Sequence, residues 1–158
     1  MNALKRFVGA GFGSGFSPVA PGTVGTLAAL IPIYFSMWIH PIFGPTLVAV
    51  LSSALTYWTT PACEKAWGED PGTLVMDEFA GQAIVFVSLP LTLNMKEDYL
   101  LIIAAFALFR FFDILKPLGI NQLQKLPAAT GILLDDLLAG FYALISLKTL
   151  IFFFPDFF

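Results

Sequence analysis

The sequence predicts an all-α, polytopic membrane bundle, and three observations carry that prediction. Hydrophobic residues make up 58% of the 158-residue chain, against roughly 45–50%, glycine included, in an ordinary soluble domain. Charged residues make up 12%, about half of the usual ~25% and too few to coat so small a domain with polar groups. The third observation is where the charges fall. Between Arg6 and Glu64 there are none, a gap long enough for two helical crossings of a ~30 Å hydrocarbon core at ~20 residues each.

His40-Pro41 and Gly44-Pro45 break that gap in the middle, so spans are expected at about 23–39 and 46–62. Later apolar stretches run at about 78–94, 98–115 and 131–154, separated by short polar segments. The count is five spans, or four if the first stretch is re-entrant, since Pro32 and its short length weaken it. Residues 1–158 read as one membrane-embedded domain. With five spans, Lys5, Arg6, Lys65, Lys116 and Lys125 share one side and Arg110 lies near it. Lys96 lies opposite, and Lys148, late in the last span, can snorkel outward. The positive-rich side is expected to be cytoplasmic, in a multi-pass protein of the cell (inner) membrane. No secretory signal is expected, because Lys5 and Arg6 lead into a glycine-rich stretch rather than an apolar core.

Several chemistries are excluded early. A net charge of −3 and the absence of a basic patch argue against nucleic acid as a partner. The single Cys63 rules out an intrachain disulfide and a cysteine-built zinc site. His40 is the only histidine, so a metal site would need mainly oxygen ligands. Cys63 is followed at the sixth position by Glu69 and not by arginine, so no cysteine-phosphatase loop is present, and no Asp-x-Asp pair marks an aspartyl-phosphate enzyme. Cys63 reads as a packed helix residue and His40 as a loop residue on the side away from the acids.

The polar residues left over sort to one side. Met76-Asp77-Glu78-Phe79-Ala80-Gly81 and Leu134-Asp135-Asp136-Leu137-Leu138-Ala139-Gly140 each place an acidic pair at the start of an apolar helix, with a glycine shortly after. Each pair alone is accounted for by matching a helix dipole. Two at one membrane side also make a set of four carboxylates that could bind one or two Mg²⁺ ions, which prefer hard oxygen ligands. Gly81, Ala139 and Gly140 offer small-residue faces for helix contacts, within the chain or in an oligomer.

Arg110 and Asp113 are three apart on one helical face. They read either as an intramembrane pair that neutralises itself or, with Lys116, as the cationic part of a site for a metal-bound phosphate. The segment from Gly9 to Gly25 is rich in glycine and carries Ser14, Ser17 and Thr23. Its freed backbone N–H groups and hydroxyls suit an anion, or it is simply a pliable interfacial segment. It is not a nucleotide P-loop, because no Gly-Lys-Ser/Thr follows.

Taken together these segments resemble the phosphatidylglycerophosphatase A family. The blocks that carry the resemblance are Gly11-Phe12-Gly13-Ser14-Gly15-Phe16-Ser17-Pro18 with Ala20-Pro21-Gly22-Thr23-Val24-Gly25, then Asp77-Glu78-Phe79-Ala80-Gly81. Phe109-Arg110-Phe111-Phe112-Asp113-Ile114-Leu115-Lys116-Pro117 and Gly131-Ile132-Leu133-Leu134-Asp135-Asp136-Leu137-Leu138-Ala139-Gly140 follow in the family's order. One departure is Leu118-Gly119 after Lys116-Pro117, where the family commonly has Trp-Pro. The resemblance implies a Mg²⁺-dependent membrane phosphatase that converts phosphatidylglycerophosphate to phosphatidylglycerol in phospholipid biosynthesis. On that basis Asp77, Glu78, Asp135 and Asp136 are expected to hold metal, and Arg110 and Lys116 to hold phosphate. Ser14, Ser17 and Thr23 would contact phosphate or headgroup, and Asp113 would be a partner of Arg110, a further ligand or a base. The rival classes are a small transporter or channel whose acids line an ion path, and a non-catalytic membrane subunit. Depth separates them, since a transporter wants ionisable groups near the bilayer midplane.

Overall fold

The computed structural model describes residues 2–157, and within them the chain is helical with no strand. A short α1 (Asn2–Gly9) leads through a 3₁₀ segment (Gly11–Phe16) into α2 (Pro21–Met37), α3 (Phe43–Trp67) and α4 (Met76–Val85). After them come α5 (Met95–Leu115), a one-turn α6 (Ile120–Leu123), α7 (Ala128–Phe153) and a closing 3₁₀ turn (Pro155–Phe157).

Local chemistry explains most of the boundaries. Pro21 opens α2 at a first-turn position, where its missing N–H costs nothing. His40 is a loop residue, as expected, and its Nδ1 accepts from the backbone N–H of Ile42 (3.1 Å) and Phe43 (3.2 Å) at the start of α3. Asn94 caps α5 by accepting from the N–H of Lys96 at 3.2 Å, while its amide donates to Glu97. Pro117 ends α5, and Lys116 before it turns left-handed at φ 46°.

The helices run up and down, so the start of α2, the end of α3, the start of α4, the end of α5 and the early turns of α7 meet at one end. Only α4 is buried on nearly every face. Outside it, large apolar side chains such as Ile31, Phe35, Val50, Leu51, Ile103 and Phe141 face outward from the surrounding helices. A molecule whose exterior is apolar and whose short central helix is polar at one end inverts the usual soluble arrangement. Inside, the hydroxyls of Thr56, Thr59 and Thr60 on α3 each donate to the carbonyl one turn earlier, which satisfies them without a partner helix.

Among the described residues one helix, α7, is both long and apolar enough to cross a membrane. The stretch read as a span at about 78–94 differs from that reading. Its helix, α4, has 10 residues and covers about 15 Å, half of a bilayer core. Turns take over from Phe86, with Ser88 at φ 62° and Pro90 close behind, so the helix has no means of continuing. α7 also begins earlier than expected, at Ala128. Asp135 and Asp136 therefore lie about two turns inside the helix, where the dipole of a helix start no longer accounts for them. Asp77 and Glu78 do occupy the first turn of α4.

Glycine sets how α4 and α7 cross. A Cβ on Gly81 would stand 2.6 Å from the Asp136 carbonyl oxygen, and one on Gly140 would run into the carbonyl of Gly81. Both obstacles are backbone, so only glycine permits this approach. Asp77 precedes Gly81 by four residues and Asp136 precedes Gly140 by four. The crossing that the two glycines allow thus brings the two aspartates to the same level, on facing helices.

Candidate active site

A pocket of about 280 Å³ lies at the end where these helices meet. Asp77, Glu78, Arg110, Asp113, Lys116, Asp135 and Asp136 all line it, from three helices widely separated in sequence. The five carboxylates are each less than a tenth exposed. Two cations face them, and the ion pairs divide the acids into two kinds.

Glu78, Asp113 and Asp135 are paired. The Arg110 guanidinium donates through Nη1 to Glu78 and sits 2.6 Å from Asp113 Oδ2. Glu78 also accepts from the hydroxyl of Thr26 on α2. Lys116, thrown clear of α5 by its left-handed turn, bonds Asp135. Burial works against the charge on Lys116, but the hydrogen bond and charge of Asp135 outweigh it and hold the ammonium above the ordinary lysine value. Lys116 is therefore a cation throughout the neutral range.

Asp77 and Asp136 are left over. Asp77 Oδ1 and Asp136 Oδ2 are buried without a hydrogen-bond partner, and so is the donor Arg110 Nε. Buried carboxylate oxygens without donors are costly, and five acids against two cations leave the pocket short of positive charge. A hard dication is the chemistry that such a donor set lacks. Among the described residues no three His, Cys, Asp or Glu side chains stand ready as a closed metal cage. Mg²⁺ asks less of the protein than such a cage, since it commonly takes one or two carboxylates and completes its shell with water and substrate phosphate. The two orphaned oxygens, Asp77 Oδ1 and Asp136 Oδ2, are the donors with the chemistry to fit such an ion.

Residues 7–151 match the sequence profile of the family described as phosphatidylglycerophosphatase A. The chain belongs to that family. Phosphatidylglycerophosphatase A of Haemophilus influenzae is 38% identical over 140 residues, covering 85% of this chain and 81% of that protein. Its Escherichia coli namesake is 36% identical over 132 residues, or 82% and 73% of the two chains. A Bacteroides thetaiotaomicron protein with a provisional phosphatidylinositol-3-phosphatase name is 42% identical over 146 residues, 90% of each chain. No solved structure matches. As a phosphatidylglycerophosphatase A family member the chain is an enzyme, a phosphoric monoester hydrolase.

In this family member the glycine-rich N-terminal segment stands mostly behind the pocket. Ser14 Oγ donates to the Gly11 carbonyl at 2.8 Å and Ser17 Oγ to the Val19 carbonyl at 2.9 Å. Neither they nor Thr23 are among the residues lining the pocket. Gly11 and Gly15 instead let the segment press onto Val75 and Thr73 just before α4, and the N–H of Val75 donates to the Gly9 carbonyl at 3.0 Å. The part that does reach the pocket is Ala20, Pro21 and Gly22. A Cβ on Gly22 would strike Glu78 Oε1 and lie 3.2 Å from Arg110 Nη1. Gly22→Ala is therefore expected to part Glu78 from Arg110 and lower kcat at least about tenfold, a barrier rise of about 1.4 kcal/mol. Phosphate-release kinetics on the purified variant check it; unchanged kcat would mean that the pair does not matter.

Thr26, Asp70 and Gln124 escaped the sequence reading. Thr26 is one helical turn beyond Gly22, whose carbonyl accepts from its hydroxyl at 2.9 Å, so counting by four along α2 would have singled it out ahead of Thr23. The Gln124 amide donates to Asp70 Oδ2 at 3.0 Å and ties two loops together at the pocket mouth. No local pattern announces that contact, because the two residues meet only through the fold.

Proposed function

We propose that the enzyme hydrolyses the terminal phosphate of phosphatidylglycerophosphate, with Mg²⁺, at the cytoplasmic face of the cell membrane. The observation that carries the reading is the meeting of five buried carboxylates with Arg110 and Lys116 at one end of an apolar bundle. A lipid keeps its chains in the bilayer and offers its phosphate at headgroup depth, where such an end would lie. The largely apolar exterior of α2, α3, α5 and α7, with exposed charges such as Lys65, Lys96, Glu97 and Lys148 toward the helix ends, supports a multi-pass embedding, with α4 reaching only part of the way across. The lysines and arginines near the pocket end support its cytoplasmic orientation. The transporter reading loses support, since five of the buried acids collect at one end and Asp98, buried at the start of α5, stands at the other and accepts from Thr92.

Asp77 and Asp136 would hold the metal through their unpartnered oxygens, with Asp135 and Glu78 beside them. Bound there, Mg²⁺ supplies charge neutralisation of phosphoryl oxygens and a lowered pKa for water. The chain's own residues do the rest. Arg110, with Nε free, binds phosphate oxygens while Glu78, Thr26 and Asp113 hold the guanidinium in place. Lys116 stabilises the charge that grows on the glycerol oxygen as its bond to phosphorus breaks. A water oxygen forms the new bond to phosphorus and gives up a proton, the bond from phosphorus to the glycerol oxygen breaks, that oxygen takes a proton to leave as a hydroxyl, and inorganic phosphate is released.

The test is phosphate release from detergent-solubilised lipids, with Mg²⁺ or with chelator. Phosphatidylglycerophosphate is expected to turn over only with Mg²⁺. Phosphatidylinositol 3-phosphate belongs in the same panel, because the Bacteroides relative carries that activity in its name. Preference for it would move the headgroup assignment, and release unaffected by chelator would overturn the metal.

A further inference from the structure

We propose that a groove between α2 and α5 seats an acyl chain of the lipid whose phosphate enters the acidic pocket; the inference rests on the lipid-phosphatase reading and deepens it. The groove has a volume of about 340 Å³ and is lined by Leu30, Ile31 and Phe35 from α2, Met95 and Ile102 from α5, and Phe86 at the end of α4. Ile31, Phe35 and Met95 are exposed, so it opens sideways, toward where a bilayer would be.

Its position is what ties it to the substrate. The same two helices line both cavities: α2 gives Gly22 to the pocket and Leu30 to the groove, while α5 gives Arg110 to the pocket and Ile102 to the groove. Each pair is eight residues apart on its helix. At the α-helical rise both steps are about 12 Å, in the same direction away from the pocket. The groove therefore begins about 12 Å deeper than the pocket along the same two helices and continues to Phe35 and Met95, about 20 Å down. The glycerol, phosphodiester and second glycerol that join the terminal phosphate to the acyl esters bridge a distance of the order of that first step. α2 and α5 touch only sparsely, and the contact of Arg110 with Thr26 joins them between the pocket and the groove.

Bilayer lipid is as apolar as the groove, so seating a chain gains packing and positioning instead of removal from water. The effect is accordingly modest and is read in how substrates differ. Leu30→Trp and Ile102→Trp fill the groove without touching the pocket. Each is expected to lower kcat/KM for dipalmitoyl phosphatidylglycerophosphate about fivefold, while the dihexanoyl lipid in the same detergent changes by less than about twofold. Ile31→Trp, on the exposed rim, covers the case in which a buried tryptophan impairs folding, and it should shift the two substrates in the same unequal way. Equal changes for both chain lengths, or none in a folded variant, would overturn the groove and leave the phosphatase reading standing. No release from either lipid by the unmodified enzyme would overturn the phosphatase reading itself.

Discussion

Asp77→Asn and Asp136→Asn are each expected to lower Mg²⁺-dependent kcat by roughly 10³-fold, about 4 kcal/mol of barrier, while leaving the protein folded. The two oxygens left without donors, Asp77 Oδ1 and Asp136 Oδ2, belong to these side chains. Asparagine keeps the shape and removes the charge. In an enzyme stripped of metal the change removes a buried uncompensated carboxylate, so thermal stability in detergent should hold or rise. Metal linkage gives an independent readout. Mg²⁺ should raise the melting temperature of the unmodified enzyme, as any ligand of the native state does, and the rise should vanish in either variant. Near-normal turnover in both, or an undiminished Mg²⁺ shift, would remove the two aspartates from the metal site.

Arg110→Met is expected to be both inactive and destabilised, and the two effects should separate. The guanidinium holds Glu78 and Asp113 together, and among the described residues neither carboxylate pairs with another cation. Removing one partner of such a buried pair costs about 3–5 kcal/mol, because the remaining charges stay buried. Adding Glu78→Gln and Asp113→Asn to the methionine variant removes those charges and should recover most of the stability, measured by denaturation in detergent. It should recover none of the activity, since the guanidinium that binds the phosphate oxygens is gone and Lys116 alone cannot replace it. Recovery of turnover by the triple variant would show that Arg110 only neutralises its neighbours. Arg110→Lys should fall between, because a single ammonium lacks the planar fork of donors that serves two carboxylates and an incoming phosphate.

The contrast between these two predictions marks where sequence reasoning stopped. Helical periodicity sufficed to put Arg110 and Asp113 on one face, and their ion pair follows from that spacing alone. The glycines four residues after Asp77 and Asp136 were legible as packing positions, and the crossing of α4 with α7 uses both. The serines of the N-terminal segment were legible only as composition. Glycine and serine at a chain turn look the same whether they cradle an anion or let one backbone rest on another, and here Gly15 presses against the Thr73 carbonyl. The acidic pair in α7 reads as near a helix start when the apolar run is begun at about residue 131. Ala128, Ala129 and Thr130 are helical as well, with no charge or periodicity to say so.

The sequence by itself determined the apolar class of the chain, the gathering of its acids and cations at the same ends of separate helices, and the family to which the motifs point. All three follow from composition and from distance along the chain, quantities that helix rise converts directly into depth. Beyond the Arg110–Asp113 pair, the tertiary structure alone decided which acid answers to which cation. Glu78 goes to Arg110 and Thr26, Asp135 to Lys116, and Asp77 and Asp136 are left facing the pocket with unpartnered oxygens. The physical reason is that depth is a property of one helix, whereas partnership depends on the rotation and separation of two. Those are set by nonlocal contacts such as Gly81 against Gly140, which no stretch of sequence carries on its own.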